Sequence, residues 1–151
     1  MVLLDSNLFV IDRFFPNDVH YQPNQTFLQS LSTLEPGLSV FTLLELCGIA
    51  SFNLTEKELR TWLSDFPSIY PVRILDPWGI GSGASLAWFR IFLEELSGNI
   101  VRKMTFGDTV LLREAERYAV AAIITWNTKD FSRRTHIPVL TPASYLQRHS
   151  N

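Results

Sequence analysis

The sequence predicts an α/β protein built on a mostly parallel central sheet, and three stretches carry that prediction. From Thr105 to Phe131, TFGDTVLLREAERYAVAAIITWNTKDF, an amphipathic helix begins beside Asp108 and a buried strand follows it. Leu111, Leu112, Ala115, Tyr118 and Ala119 recur at helical offsets, with Arg113, Glu114, Glu116 and Arg117 on the opposite side. Val120 to Ile124 is a short unbroken apolar run, as in a strand covered on both faces, and it ends at Thr125-Trp126-Asn127-Thr128-Lys129-Asp130. The second stretch is Val2-Leu3-Leu4, which stops at Asp5-Ser6-Asn7 and continues as a helix through Leu8, Phe9, Val10 and Ile11. The third is Leu38-Ser39-Val40-Phe41, a strand leading directly into the helix Thr42 to Ile49. Strand ends and helix starts of such units meet at one rim of an open parallel sheet, where ligands bind. Asp5, Glu45, Asp108, Asn127 and Asp130 are all expected at that rim.

The other elements follow in order. A helix is expected over about Pro23 to Leu34, with Phe27, Leu28, Leu31 and Leu34 inward, stopped by Glu35-Pro36-Gly37. Thr55-Glu56-Lys57-Glu58 has the spacing of a capping box and starts a helix with Leu59, Trp62, Leu63 and Phe66 inward. Pro71 to Leu75 reads as a further strand closed by a turn at Asp76-Pro77-Trp78-Gly79, and Gly79, Gly81 and Gly83 lack the Lys-Ser/Thr ending of a phosphate loop. Ala84 to Leu96 is apolar nearly all round, more than one domain of this size easily buries, so part of it is expected either to meet a partner chain, as in a homodimer, or to lie deeper in the core. Ile137 to Leu140 forms a last strand, and Thr141-Pro142 starts a terminal helix through Leu146.

Length and composition bound the possibilities. At 151 residues a single domain, 1-151, is expected, with roughly 70 % of the unfolded surface buried. No apolar segment reaches the roughly 20 residues of a membrane span, and Asp5, Asp12 and Arg13 interrupt any signal-peptide core. The single cysteine, Cys47, excludes an internal disulfide and a thiolate metal cage, and fits a reducing cytoplasm. His20, His136 and His149 are isolated and form no ligand pair. The net charge of -2 does not advertise a polyanion binder. If Asp5, Glu45, Asp108 and Asp130 are neutralised by cations, however, 11 acids remain against 13 Lys and Arg.

Each acid has an ordinary reading by itself. Asp5 could cap a helix, and Glu45 could complete a capping box with Thr42. Their recurrence in similar local contexts is the signal. Clustered carboxylates repel one another unless a divalent cation compensates them, and an oxygen-only set with one amide suits Mg²⁺ or Mn²⁺ rather than zinc. Such a cation lowers the pKa of water and withdraws charge from a phosphoryl oxygen.

Taken together, Val2 to Asn7, Ser39 to Leu46, Asp108 opening a helix, Thr125 to Phe131 and Val139-Leu140-Thr141-Pro142 resemble a PIN domain of the VapC toxin type, in the right order over almost the whole chain. The resemblance implies a three-layer α/β/α PIN-like fold and a magnesium-dependent endoribonuclease, the toxin of a type II pair held inactive by a cognate antitoxin. It implies that metal-activated water hydrolyses RNA phosphodiester bonds. Carried over by position, Asp5 and Asp108 would hold the metal most directly and Glu45 directly or through water. Asn127 and Asp130 would complete the site, with Ser6 and Thr125 in support. The chain departs from the pattern twice: amide Asn127 occupies an acidic position, and the usual glycine is missing from Tyr118-Ala119-Val120-Ala121. Lys129, Arg133 and Arg134 could meet phosphates. The competing reading is a non-catalytic PIN-like scaffold acting through protein contacts. A phosphatase of the haloacid dehalogenase type is disfavoured, since Asn7 stands where its second aspartate belongs.

Overall fold

The computed structural model describes residues 1–76, 86–101 and 103–149. In chain order the elements are β1 (Val2–Leu4), α1 (Ser6–Phe14), α2 (Tyr21–Gln29), β2 (Pro36–Ser39), α3 (Val40–Ala50), α4 (Glu56–Asp65), β3 (Arg73–Leu75), α5 (Leu86–Val101), α6 (Phe106–Arg117), β4 (Ala122–Ile124), α7 (Thr128–Phe131), β5 (Val139–Leu140) and α8 (Pro142–His149). Single 3₁₀ turns sit at Leu31–Thr33 and Phe66–Ser68.

The five strands are all parallel and lie in the order β3-β2-β1-β4-β5. From β1 the chain moves outward to β2 and β3, then crosses back to β4 and β5 on the other side. The reversal falls between β1 and β4, where Leu4 pairs with Ile124, so the residues that follow, Asp5 and Thr125, leave the sheet side by side. Alternation along the strands splits the core into two layers. Val2, Leu4, Leu38, Ala122, Ile124 and Leu140 face one way, against Leu8, Phe9, Phe27, Leu46, Trp62, Phe66 and Tyr145. Leu3, Leu75 and Ile123 face the other way, against Leu111, Leu112 and Ala115 of α6 and Phe131 of α7. Helices therefore cover both faces, giving the three-layer α/β/α PIN-like arrangement. Outside α6, α5 packs Phe92 and Leu96 onto Val110.

Several sequence expectations shift. The second strand is Pro36–Ser39, and Val40 and Phe41 already belong to α3, capped by Ser39, whose Oγ accepts from the Phe41 N–H at 3.3 Å. The Thr42–Glu45 capping box is thereby overturned, because both residues lie inside the helix. The helix expected to Leu34 stops at Gln29, and Leu63 of α4 is half exposed. The Thr55–Glu58 box is present. Arg113 and Glu114, expected on the solvent side of α6, are buried at 3 % and 0 % exposure. There α5 covers the helix: Arg113 pairs with Glu95 and Glu114 at 2.5 Å each and lies 4.7 Å over the Phe92 ring. Ion pairing replaces part of the water such side chains would otherwise hold, with Arg113 Nη2 and Glu114 Oε2 buried without a hydrogen bond, and an offset pattern along one helix does not reveal it. The glycines at 79, 81 and 83, the turn at 77–79 and the first residues of the 84–96 helix lie outside the described residues.

Candidate active site

Asp5, Ser6, Asn7, Glu45, Thr105, Gly107, Asp108, Asn127 and Asp130 line one cleft of about 200 Å³. All five residues selected as site candidates from the sequence, Asp5, Glu45, Asp108, Asn127 and Asp130, are among them. The cleft opens outside the carboxyl ends of β1 and β4, the place where the strand order reverses and loops diverge to leave a crevice.

Asp5 sits at the N-cap position of α1 but makes no side-chain cap bond. Its backbone N–H extends the sheet ladder to the Ile124 carbonyl at 3.1 Å. Its carboxylate is held instead by side chains: Thr125 Oγ1 donates to Oδ2 at 2.6 Å, Asn7 Nδ2 donates to the same oxygen at 2.7 Å, and Ser6 Oγ lies 3.3 Å from Oδ1. Asn7 Nδ2 also reaches Thr125 Oγ1 at 2.9 Å, and the Asn127 N–H donates to that hydroxyl at 2.9 Å. This web fixes one acid before anything binds. Burial pushes the Asp5 carboxyl up to about 6, helped by the negative charges of Glu45 and Asp108 and opposed by the bond from Thr125.

Glu45 projects from α3 toward the same cleft, where its Oε2 accepts from Ser6 Oγ at 3.0 Å. It crosses Gly107: a β-carbon there would stand 2.4 Å from Glu45 Oε1. Asp108 is in the first turn of α6, capped by Thr105, whose hydroxyl accepts from the Asp108 N–H at 3.2 Å and donates to Asp108 Oδ2 at 2.6 Å. Partial burial raises the Asp108 pKa, and so does the charge of Asp130, against the opposing pull of Thr105 and Arg134. Asp130 lies on α7, whose first turn is closed by its own N–H to the Asn127 carbonyl at 3.1 Å.

The donor set is oxygen only, with no His or Cys in the cleft. Among the described residues no group of three or more His, Cys, Asp or Glu is already drawn together as a metal cage. Mg²⁺ does not need one, because it keeps several waters and commonly uses one or two carboxylates. Two carboxyls held above their usual range by burial and, secondarily, by neighbouring negative charge, in a cleft lined by two more acids, are a site that a hard dication would relieve.

Three lining residues were not singled out as functional in the sequence. Asn7 supports Asp5 from two positions along α1, a role with no local signature. Thr105 could have been found, since Thr105-Phe106-Gly107-Asp108 has the spacing of a helix-start box. Gly107 is needed because of Glu45, a residue 62 positions away in sequence. A second, apolar pocket of about 370 Å³, lined by Phe41, Leu44, Phe106 and Val110, adjoins the acidic cleft and shares Glu45 and Gly107 with it.

No family model and no curated protein matches the sequence. Solved structures do match. A chain of a structure described as a toxin-antitoxin complex from Klebsiella pneumoniae is 23 % identical, over 94 % of this chain and 98 % of that one, with a TM-score of 0.57. A chain of FitAcB from Neisseria gonorrhoeae is 18 % identical over 94 % and 98 %, with a TM-score of 0.62. A chain of VapBC2 from Rickettsia felis, solved with a DNA fragment from its promoter, is 18 % identical over 93 % and 98 %, also with a TM-score of 0.62. At these identities the likeness is one of architecture: the chain has the PIN-like α/β/α fold, sharing it with chains of these three complexes across nearly their whole length.

Proposed function

We propose that this protein is a Mg²⁺- or Mn²⁺-dependent endoribonuclease, the toxin of a type II toxin–antitoxin pair, acting in the cytoplasm on RNA phosphodiester bonds. The observation that carries the reading is the meeting of Asp5, Glu45, Asp108 and Asp130, from four separate elements, at the switch point of a parallel sheet. Asp5 and Asp108 would hold the cation directly, with Glu45 and Asp130 completing the negative wall and amide Asn127 orienting bound water or substrate. When bound, the cation would acidify water and draw charge from a phosphoryl oxygen. Thr125, Asn7 and Ser6 keep the Asp5 oxygens aimed into the cleft whether or not it is filled. Lys129 and Arg133, exposed beside Asp130 and just beyond α7, are available to phosphates on either side of the cut.

The partners of such a protein are RNA, a cognate antitoxin and a second copy of itself. The fold shared with chains of toxin–antitoxin complexes supports the antitoxin, and the exposed Phe89, Ile91 and Leu93 of α5 support self-association. Among the described residues no helix is long and apolar enough to cross a membrane. The same apolar face also favours the second reading, a PIN-like scaffold that binds proteins and cuts nothing.

Incubation of the purified chain with total RNA separates the two. A nuclease cleaves with Mg²⁺ or Mn²⁺, stops in chelator, and loses activity in Asp5→Asn and Asp108→Asn. The loss should exceed the roughly 10- to 100-fold typical of removing a residue that only supports a metal ligand. Cleavage that survives both substitutions, or no metal-dependent cleavage at all, sinks the nuclease reading.

A further inference from the structure

His20 stacks face to face on Trp126, the residue before Asn127 of the acidic cleft, with ring centroids 4.3 Å apart and planes 20° from parallel. Neither ring belongs to a core cluster: Trp126 is half-buried and His20 is exposed. The pair is nonetheless rigidly mounted. Trp126 Nε1 donates at 3.0 Å to Oδ1 of Asn24, which is fully buried and donates its own Nδ2 to the Leu8 carbonyl at 2.8 Å. The Trp126 backbone N–H points to Asn7 Oδ1 at 3.4 Å, and Asn7 is the residue that grips Asp5. His20 is fixed by its backbone, its N–H donating to Asp18 Oδ1 at 2.7 Å and its carbonyl accepting from the Asn24 N–H at 2.9 Å. Trp126 stands between Thr125, which bonds Asp5, and Asn127, which lines the cleft.

A buried asparagine that ties the α1 backbone to a half-buried indole, with an exposed imidazole laid flat upon it, is more organisation than a solvent-facing turn requires. Its chemistry suits an unstacked nucleobase, which finds partners on aromatic faces whatever its hydrogen-bonding edge. We infer that His20 and Trp126 form a stacking platform for a base of single-stranded RNA, flanking the phosphate held at the acidic cleft. The inference rests on the nuclease reading for the identity of the cleft, and it deepens that reading by assigning two residues outside the cleft lining to the binding of a base. Adding a base to the outer face of His20 extends the existing stack to three rings and holds the strand beside Asp5 without selecting its sequence.

The test is calorimetric titration of the full chain with a mixed-sequence RNA decamer in Ca²⁺, with recovery of intact RNA checked afterwards. A strand of equal length and charge made of abasic nucleotides serves as the control. His20→Ala should weaken binding of the decamer about 5- to 150-fold, the range for losing one base–aromatic stack. It should leave the abasic strand unaffected, and His20→Phe, which keeps a flat ring, should restore most of the loss. Equal binding of decamer and abasic strand by wild type, unchanged decamer binding by His20→Ala, failure of His20→Phe to restore it, or no measurable RNA binding overturns the platform. The two readings fail separately. Wild type that cuts no RNA in Mg²⁺ but shows the base-dependent His20→Ala loss defeats the nuclease and keeps the platform. Wild type that cuts RNA while His20→Ala binds normally does the reverse.

Discussion

Asp5 shows how one residue can be costly to the fold and useful to the site. Its carboxyl has an ordinary value of 3.8 in the unfolded chain and about 6 in the folded one, chiefly because it is buried. The folded state therefore holds the proton more tightly, and stability contributed by protonated Asp5 is complete below about pH 4 and lost as pH rises through about 6. At roughly 1.4 kcal/mol per pH unit, this gap is worth about 3 kcal/mol in the cation-free protein. Urea titrations at pH 4.5 and pH 7 should show Asp5→Asn flattening the fall seen in wild type, since Asn Oδ1 still accepts from Thr125 and Asn7. Adding Mg²⁺ should flatten it as well, by favouring the ionised form. An Asp5→Asn protein with the wild-type pH slope would mean that the site's electrostatic tension lies elsewhere. The candidate acids were legible in the sequence because each stands near the end of a buried strand or the start of a helix. The web around Asp5 was not, because the bond from Thr125 closes a loop of 120 positions.

Backbone geometry decides what each end of α6 tolerates. α6 ends with Val120 N–H on the Ala115 carbonyl at 3.1 Å, and Ala119 adopts the left-handed conformation at φ 46°. It lies in the stretch Tyr118 to Ala121, from which the glycine of the resembled pattern is missing, and an L-residue in this conformation carries a steric cost that glycine avoids. Ala119→Gly should raise stability by about 0.5–1 kcal/mol in chemical denaturation, the released strain exceeding the added freedom of the unfolded chain, with cleavage unchanged. At the other end of α6, Gly107→Ala drives a methyl into Glu45 Oε1. Glu45 is exposed and flexible, so it can swing away at little cost to the fold, but its carboxylate leaves the cleft and its bond to Ser6 is lost. Nuclease activity should drop on the order of 10-fold or more while the melting temperature moves by only a few degrees. Retained activity would show that Glu45 is not needed near the cation. Helix and strand identities came through the sequence because period and capping are local. The second strand slipped toward Pro36–Ser39 because Ser39 is the better cap, and local competition of that kind moves boundaries before it changes element type.

The whole molecule leaves α5 only partly covered. Phe92 and Leu96 turn inward onto α6, while Phe89, Ile91 and Leu93 remain 49 %, 52 % and 45 % exposed. If a second copy covers them, wild type sediments as a dimer and Leu93→Asp shifts it to monomer without altering the far-ultraviolet spectrum. A wild-type monomer at micromolar concentration would remove self-association from the proposal.

Periodicity along the chain determined the fold class, the parallel strands and the candidate acids, since a short apolar run ending at an acid is readable without knowing its neighbours. Only the tertiary structure decided which strands lie side by side, that the order reverses between β1 and β4, and that five polar residues spread over 126 positions line one cleft. It also decided that Arg113 and Glu114 are interior and that His20 lies on Trp126. These outcomes depend on which surfaces meet once the helices close over the sheet, and the free energy of such contacts belongs to pairs distant in sequence.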